Sequence, residues 1–236
     1  MISAATLKSV RDRIEKARSR TGRENEPPVE IIAVTKAFPP DTIIRAYKSG
    51  VRSIGENRVQ EAMVKFKEVP DLPGLKRRLI GHLQSNKARK AVNLFDTIDS
   101  IDSVKLGRKL SSIAKETGKE IPTLIQVNTA DDPAKYGFDS SQTEEILEVI
   151  NLEGLRAEGL MTIGTLTQDK SITRETFKRL WNLRDELNDQ LPREKQLIHL
   201  SMGMSGDYEI AVEEGATMLR LGTVLFGPRP NSPNKC

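Results

Sequence analysis

Apolar residues along this chain fall into two alternating patterns. Short runs rich in β-branched residues, led by Glu30-Ile-Ile-Ala-Val-Thr-Lys36, are separated by longer stretches in which apolar residues recur every three or four positions. The runs predict buried strands and the stretches predict amphipathic helices. Residues 4–21 open the chain as a helix, with Leu7, Val10, Ile14 and Ala17 on one face and Gly22 as its stop. Strands are expected at 30–36, 53–57, 79–82, 97–101, 123–128, 157–163, 197–201 and 218–226. Between them the spacing predicts helices at 41–50, 58–69, 84–94, 103–117 and 208–214. Two more follow a capping box at Ser141-Gln-Thr-Glu144 and carry the face Phe177, Leu180, Trp181 and Leu187.

Eight such units predict an α/β fold, a single (β/α)8 TIM-type barrel with an extra N-terminal helix. An open doubly wound sheet would also alternate in this way. It would carry a glycine fingerprint after the first strand, where this chain has Thr-Lys-Ala-Phe-Pro-Pro. Residues 1–227 are expected to form the barrel domain, and residues 228–236, polar and proline-rich, a loose tail.

Charge and composition narrow the function. The 37 basic and 33 acidic side chains leave a net charge of only +4. The basic runs Lys76-Arg77-Arg78 and Lys87-Ala88-Arg89-Lys90 lack interleaved aromatics, and aromatics are 4% of the chain, so no nucleic-acid partner is expected. No apolar run has the length of a membrane span, and the N-terminus lacks the apolar core of a secretory signal, so a cytoplasmic protein is expected. The single cysteine, Cys236, and the two histidines, His82 and His199, provide no metal site.

A barrel gathers its chemistry at the carboxyl ends of its strands. Those ends carry Lys36, Asn57, His82, Asn128, Met161-Thr162, Ser201 and Arg220-Leu-Gly-Thr223. An ammonium at the end of an inner strand is costly to bury without a partner or a covalent task. After strand seven, Ser201-Met-Gly-Met-Ser-Gly206 leads into a helix, and Gly222-Thr223 sits in strand eight. Small residues there let backbone N–H groups reach a phosphate, and Ser201, Ser205 and Thr223 add hydroxyls. A lysine and a phosphate cradle in one mouth point to a phosphorylated carbonyl compound held as a Schiff base. Pyridoxal 5'-phosphate and a sugar phosphate both satisfy that description. Arg220 shares a strand face with Gly222, where its permanent charge would disfavour protonation of a pyridine nitrogen. A pyridine held unprotonated is a poor electron sink, which leaves little amino-acid chemistry beyond proton exchange at Cα.

The segments Ala33-Val-Thr-Lys36, Gly55-Glu-Asn-Arg-Val-Gln-Glu61, Ile80-Gly-His-Leu-Gln-Ser-Asn-Lys87, Gly159-Leu-Met-Thr162, His199-Leu-Ser-Met-Gly-Met-Ser205 and Arg220-Leu-Gly-Thr-Val-Leu-Phe-Gly227 occur in order along nearly the whole chain. In these the chain resembles the pyridoxal phosphate homeostasis proteins, which are similar to the barrel domain of bacterial alanine racemase. The resemblance implies that Lys36 forms the Schiff base with pyridoxal 5'-phosphate and that Arg220 partners the pyridine nitrogen. It places Asn57 near the ring, and Ser201, Ser205, Gly222 and Thr223 around the phosphate. It further implies a monomer that acts in vitamin B6 and amino-acid homeostasis without robust catalysis, with apo forms of cofactor-dependent enzymes as recipients. An amino-acid racemase is the alternative. Alanine racemase adds a second, β-rich domain that supplies a catalytic tyrosine from the partner subunit; Tyr47, Tyr136 and Tyr208 do not fall at strand ends here. His82 matches a motif position without an implied role.

Overall fold

Most of the apolar runs form strands whose side chains are nearly all buried, because each is covered by its neighbours, by a helix layer outside and by the barrel interior. The computed structural model describes residues 2–130, 132–165 and 167–228. Its strands are β1 (Glu30–Val34), β2 (Ser53–Glu56), β3 (Lys76–Leu79), β4 (Thr97–Ile101), β5 (Ile121–Asn128), β6 (Phe138–Asp139), β7 (Leu155–Met161), β8 (His199–Ser201) and β9 (Met218–Leu221). All the pairings are parallel. They run β1-β2-β3-β4-β5-β7-β8-β9 and return from β9 to β1, which closes an eight-stranded barrel. The short β6 pairs with β5 outside that cycle.

The helices are α1 (Ala4–Arg20), α2 (Asp41–Lys48), α3 (Val59–Lys65), α4 (Ala88–Leu94), α5 (Val104–Thr117), α6 (Thr143–Ile150), α7 (Lys170–Asn188), α8 (Tyr208–Glu213) and α9 (Thr223–Phe226). The extra helix α1 packs against α8 and α9. After the last strand the described residues make the single turn of α9, and α1 covers that flank. Its grip is the buried face Leu7, Val10, Ile14 and Ala17. Solvent-screened pairs such as Arg20 with Glu213 add little beside it.

Four sequence expectations shift. The third strand lies at 76–79 rather than 79–82, because Arg78, 1% exposed, enters the barrel as a charged core residue and disguises the run. The last strand stops at Leu221, and Thr223 to Phe226 turn into α9 instead of continuing it. The helix α3 ends at Lys65, four residues short of its expected limit. The capping box at Ser141 does not form: Ser141 donates to Asp139 Oδ1 through N and Oγ, and Gln142 takes the cap position. The expected loose tail lies outside the described residues beyond Pro228, and Cys236 with it.

The barrel interior is half polar. Ile32, Leu124, Met161 and Met218 form its apolar cluster. Beside them Arg78 donates to Ser53 Oγ at 3.1 Å and to both Asp99 oxygens at 3.1 Å, and Thr97 donates to Asp99 at 2.8 Å. Burial pushes the Asp99 carboxyl above the usual range, and Arg78 opposes that. His199 is also held here, 3.3 Å from Thr217 Oγ1, and burial lowers its pKa from the ordinary 6.5. Below that value the unfolded chain therefore binds a proton that the folded chain refuses, so stability falls as pH drops through 6.5. The variant His199→Gln is expected to flatten this loss when denaturant midpoints at about pH 7.5 and about pH 5.5 are compared with the parent.

Candidate functional site

Lys36 follows β1 by two residues. The ladder still holds Thr35, whose N–H donates to Gly55 O at 3.1 Å, and a turn closes where Phe38 N–H donates to Thr35 O at 3.1 Å. Within that turn Ala37 has φ 63°, the one positive φ at a non-glycine among the described residues. An alanine in this region costs roughly 1–2 kcal/mol, so the backbone beside Lys36 is held under strain by the packing around it. Pro39 and Pro40 then lead into α2, with Pro40 as its cap residue. Behind Lys36, Glu56 at the end of β2 accepts from Thr35 Oγ1 at 2.7 Å and from Lys65 Nζ at 2.6 Å, and Lys65 also donates to Thr35 O at 2.8 Å. This buried knot ties together the ends of β1, β2 and α3, and so fixes where Lys36 and Asn57 leave the sheet.

Asn57 faces the loop after β3. A side chain at Gly81 would put its Cβ 2.4 Å from Asn57 O, so only glycine lets that loop approach so closely. On the far wall, Arg220 at the end of β9 is 5% exposed. It donates through Nη1 to Ser201 O at 2.6 Å and Ser201 Oγ at 2.9 Å, and through Nη2 to Thr162 O at 2.6 Å. Desolvation brings its pKa down to about 10, which still leaves the guanidinium charged at neutral pH. A guanidinium has five N–H donors. Three are used by these oxygens, and Nε–H and one Nη2–H remain for the pocket.

Ser205 sits between the two glycine-bearing loops. Its Oγ accepts from Gly222 N–H at 3.3 Å and from Val224 N–H at 3.1 Å, which locks the loop after β8 onto the start of α9. Gly203 in the same loop has φ 89°, and a side chain there would press on Ala211 Cβ at 2.5 Å. Asp207 accepts from Met204 N–H at 2.5 Å, and burial pushes its carboxyl up. Space above the cradle is open: a Cβ at Gly206 would meet nothing within 4 Å, and one at Gly222 would find Val34 at 3.7 Å.

These elements enclose a cavity of about 280 Å³. Lys36, Asn57, Ser205, Arg220, Gly222 and Thr223 all line it. Ser201 does not; it is fully buried behind Arg220, where its hydroxyl and carbonyl hold the guanidinium in place. Val34, Ile80, Ile163 and Met204 complete the wall. Sequence reasoning passed over them because apolar residues near strand ends look like ordinary core. Asn128 turns away, with Nδ2 donating to Asp132 O at 2.8 Å, and His82 lines a neighbouring cavity. The variant Arg220→Gln is expected to cost about 1–3 kcal/mol in chemical denaturation, because the carbonyls of Ser201 and Thr162 lose their donors.

The chain matches the family described as "Alanine racemase, N-terminal domain" over residues 6–230. It is similar to the pyridoxal phosphate homeostasis protein of Aquifex aeolicus, 37% identical over 97% of this chain and 99% of that one. The human protein of the same name is 38% identical, with 98% of this chain and 89% of the other covered. Among solved structures, PipY of Synechococcus elongatus PCC7942 with PLP bound is 41% identical at a TM-score of 0.79, covering 91% of this chain and 100% of that one. An alanine racemase of Clostridium difficile 630 shares the fold at a TM-score of 0.74 with 18% identity, covering 98% of this chain and 59% of the racemase.

Proposed function

Because the chain belongs to the pyridoxal phosphate homeostasis protein family, built on the alanine racemase N-terminal domain, we propose that its barrel mouth binds pyridoxal 5'-phosphate covalently at Lys36 and serves vitamin B6 and amino-acid homeostasis. One observation carries this reading: a lysine, a buried guanidinium with two donors to spare and a cradle of small and hydroxyl residues converge on one cavity of about 280 Å³. Bound there, the cofactor supplies an aldehyde that a neutral primary amine attacks, together with a pyridine ring and a phosphate.

Each remaining part is a property of the chain. Lys36 is half-buried at a wall made by Val34, Ile80 and Ile163, and it is the neutral form of its amine that the attack requires. Arg220 offers donors and a fixed positive charge, and so disfavours a second positive charge on a ring nitrogen placed against it. Ser205, Gly222 and Thr223, with Gly206, form the anion cradle, and Ser205 keeps the two halves of that cradle in register. Ser201 acts through Arg220. The protein works as a cytoplasmic monomer that passes the cofactor to apo-enzymes, in a barrel spanning residues 1–227.

Borohydride reduction of the purified protein followed by peptide mass mapping tests the site. A pyridoxyl-phosphate adduct is expected on the peptide containing Lys36; an unmodified Lys36 after incubation with the cofactor overturns the assignment. Delivery is tested separately. The loaded protein should reactivate an apo-enzyme faster than free cofactor at equal concentration, and equal rates would remove that role.

A further inference from the structure

Beside the cofactor cavity lies a second one of about 520 Å³. Asn57, Ile80 and Ile163 form part of both walls, so the two are neighbours at the same mouth. The second cavity is centred on His82. The ring's Nδ1 lies 2.6 Å from Asp102 Oδ2, and the Asp102 side chain is only 7% exposed. An ionised carboxylate is an acceptor only, so it holds the tautomer with the proton on Nδ1. One face of the ring stacks on Tyr136, with centroids 3.8 Å apart and planes 13° from parallel. Edge and face are thus both fixed, and Nε2 is the remaining hydrogen-bonding position.

Tyr136 is itself 57% exposed, which is unusual for a ring that serves only packing. Its loop is pinned on both sides. Gln126 Nε2 donates to Tyr136 O at 2.8 Å, and Lys135 Nζ donates to Gly164 O at 2.9 Å. A surface aromatic pair held this firmly, with a nearly buried carboxylate behind it, is more order than a solvated rim needs. The charge of the cavity is also one-sided. Arg58 and Lys87 line it, together with the amides of Gln60, Gln84 and Gln126, and no acidic side chain is among its described lining residues. Glu61 partners Arg58 at 3.1 Å from outside that wall.

We infer that this second cavity binds a small organic hydroxycarboxylate, whose hydroxyl donates to the Nε2 of His82 that Asp102 orients and whose carboxylate is drawn in by the charge of Lys87. The cavity lacks the loop cradle tied by Ser205 that the neighbouring site offers a phosphate, and its donors are mostly side chains suited to a planar anion. A ligand seated here lies alongside whatever occupies the first cavity. This inference does not depend on the cofactor reading, since every residue it uses is present in the cofactor-free chain.

The chain has only two histidines, so proton NMR of the full-length, cofactor-free protein reports on His82 directly, with His199 in the barrel interior as the internal control. The ligand used is L-lactate, which has neither an amine nor a carbonyl to react with Lys36 or with an aldehyde. The His82 ring resonance, assigned through His82→Gln, is expected to move saturably while His199 stays in place. Lys87→Gln should weaken the midpoint by about tenfold or more, as befits the loss of a charge-assisted contact, and Asp102→Asn should weaken it by releasing the tautomer that presents Nε2 as an acceptor. Should Asp102→Asn fail to fold, Lys87→Gln, at a half-buried position in a short turn, carries the test. The inference is overturned if His82 does not respond saturably, if sodium chloride at equal ionic strength moves it as far, if inorganic phosphate alone binds, or if the folded variants keep the parent's midpoint. A failure here leaves adduct formation at Lys36 untouched, so the two readings fall separately.

Discussion

The variant Lys36→Ala is expected to form no borohydride-trapped adduct with pyridoxal 5'-phosphate while still binding it weakly and reversibly. Lys36 is the one lysine among the described residues lining the cavity of about 280 Å³, so no neighbouring amine stands ready to replace it. The anion cradle and the spare donors of Arg220 do not involve Lys36 and remain in the variant. Affinity should therefore fall without vanishing, which equilibrium dialysis at rising inorganic phosphate would show as simple competition for the cradle. Folding should change by no more than about 0.5 kcal/mol, because a half-buried side chain at a strand end contributes little to the core. That combination separates chemistry from collapse. An adduct that persists in Lys36→Ala, on another lysine of the mouth, would show that the covalent residue had been misplaced. Complete loss of phosphate-competitive binding would show instead that Ser205, Gly222 and Thr223 are not the cradle.

Much of this arrangement was legible from residue patterns, and the exceptions share a physical cause. The runs at Ile31–Val34 and Leu124–Val127 could be read as strands because continuous β-branched and aliphatic residues have few other ways to be buried. Lys36, Arg220 and the small residues near 205 and 222 stood out as polar or tiny positions at strand ends, and all of them meet in one cavity. What was hidden is charge placed in the interior. Arg78 and Asp99 compensate each other inside the barrel, so neither looks like a core residue alone, and the strand carrying Arg78 begins three residues before the apolar run that predicts it. Ser201 read as a phosphate ligand because a serine at a strand end is compatible with either role. Only the orientation of Arg220 shows that it faces inward. The pairing of His82 with Asp102 bridges the loops after β3 and β4, and no spacing along the chain announces it.

The same concealment applies to the knot behind Lys36, and Lys65→Met is expected to be the most damaging single change away from the pocket. Lys65 occupies a helix position that reads as a solvated lysine, yet it is 8% exposed, and its ammonium meets Glu56 Oε1 at 2.6 Å and Thr35 O at 2.8 Å. Glu56 is fully buried, and its other oxygen, Oε2, has no hydrogen-bond partner among the described residues. All the compensation for that carboxylate thus passes through Oε1, from Lys65 and Thr35. Methionine fills the lysine's volume and removes its charge, which leaves an uncompensated buried carboxylate. Such a break typically costs about 3–5 kcal/mol, a large share of the roughly 5–15 kcal/mol that holds a domain together. In urea denaturation the midpoint should drop accordingly. Adding Glu56→Gln should return part of the loss, because the charge that needed Lys65 is then gone. A cost below about 1 kcal/mol for Lys65→Met, or no recovery in the double variant, would mean that the pair is solvated and does not clamp the sheet. The knot also bears on function through geometry alone. Thr35 and Glu56 immediately precede Lys36 and Asn57, so loosening them frees two residues of the proposed cofactor cavity at once. Adduct formation in Lys65→Met, measured at a temperature where the variant is still folded, should therefore slow more than in Arg220→Gln, whose Lys36 strand is intact, since only the former moves the amine itself.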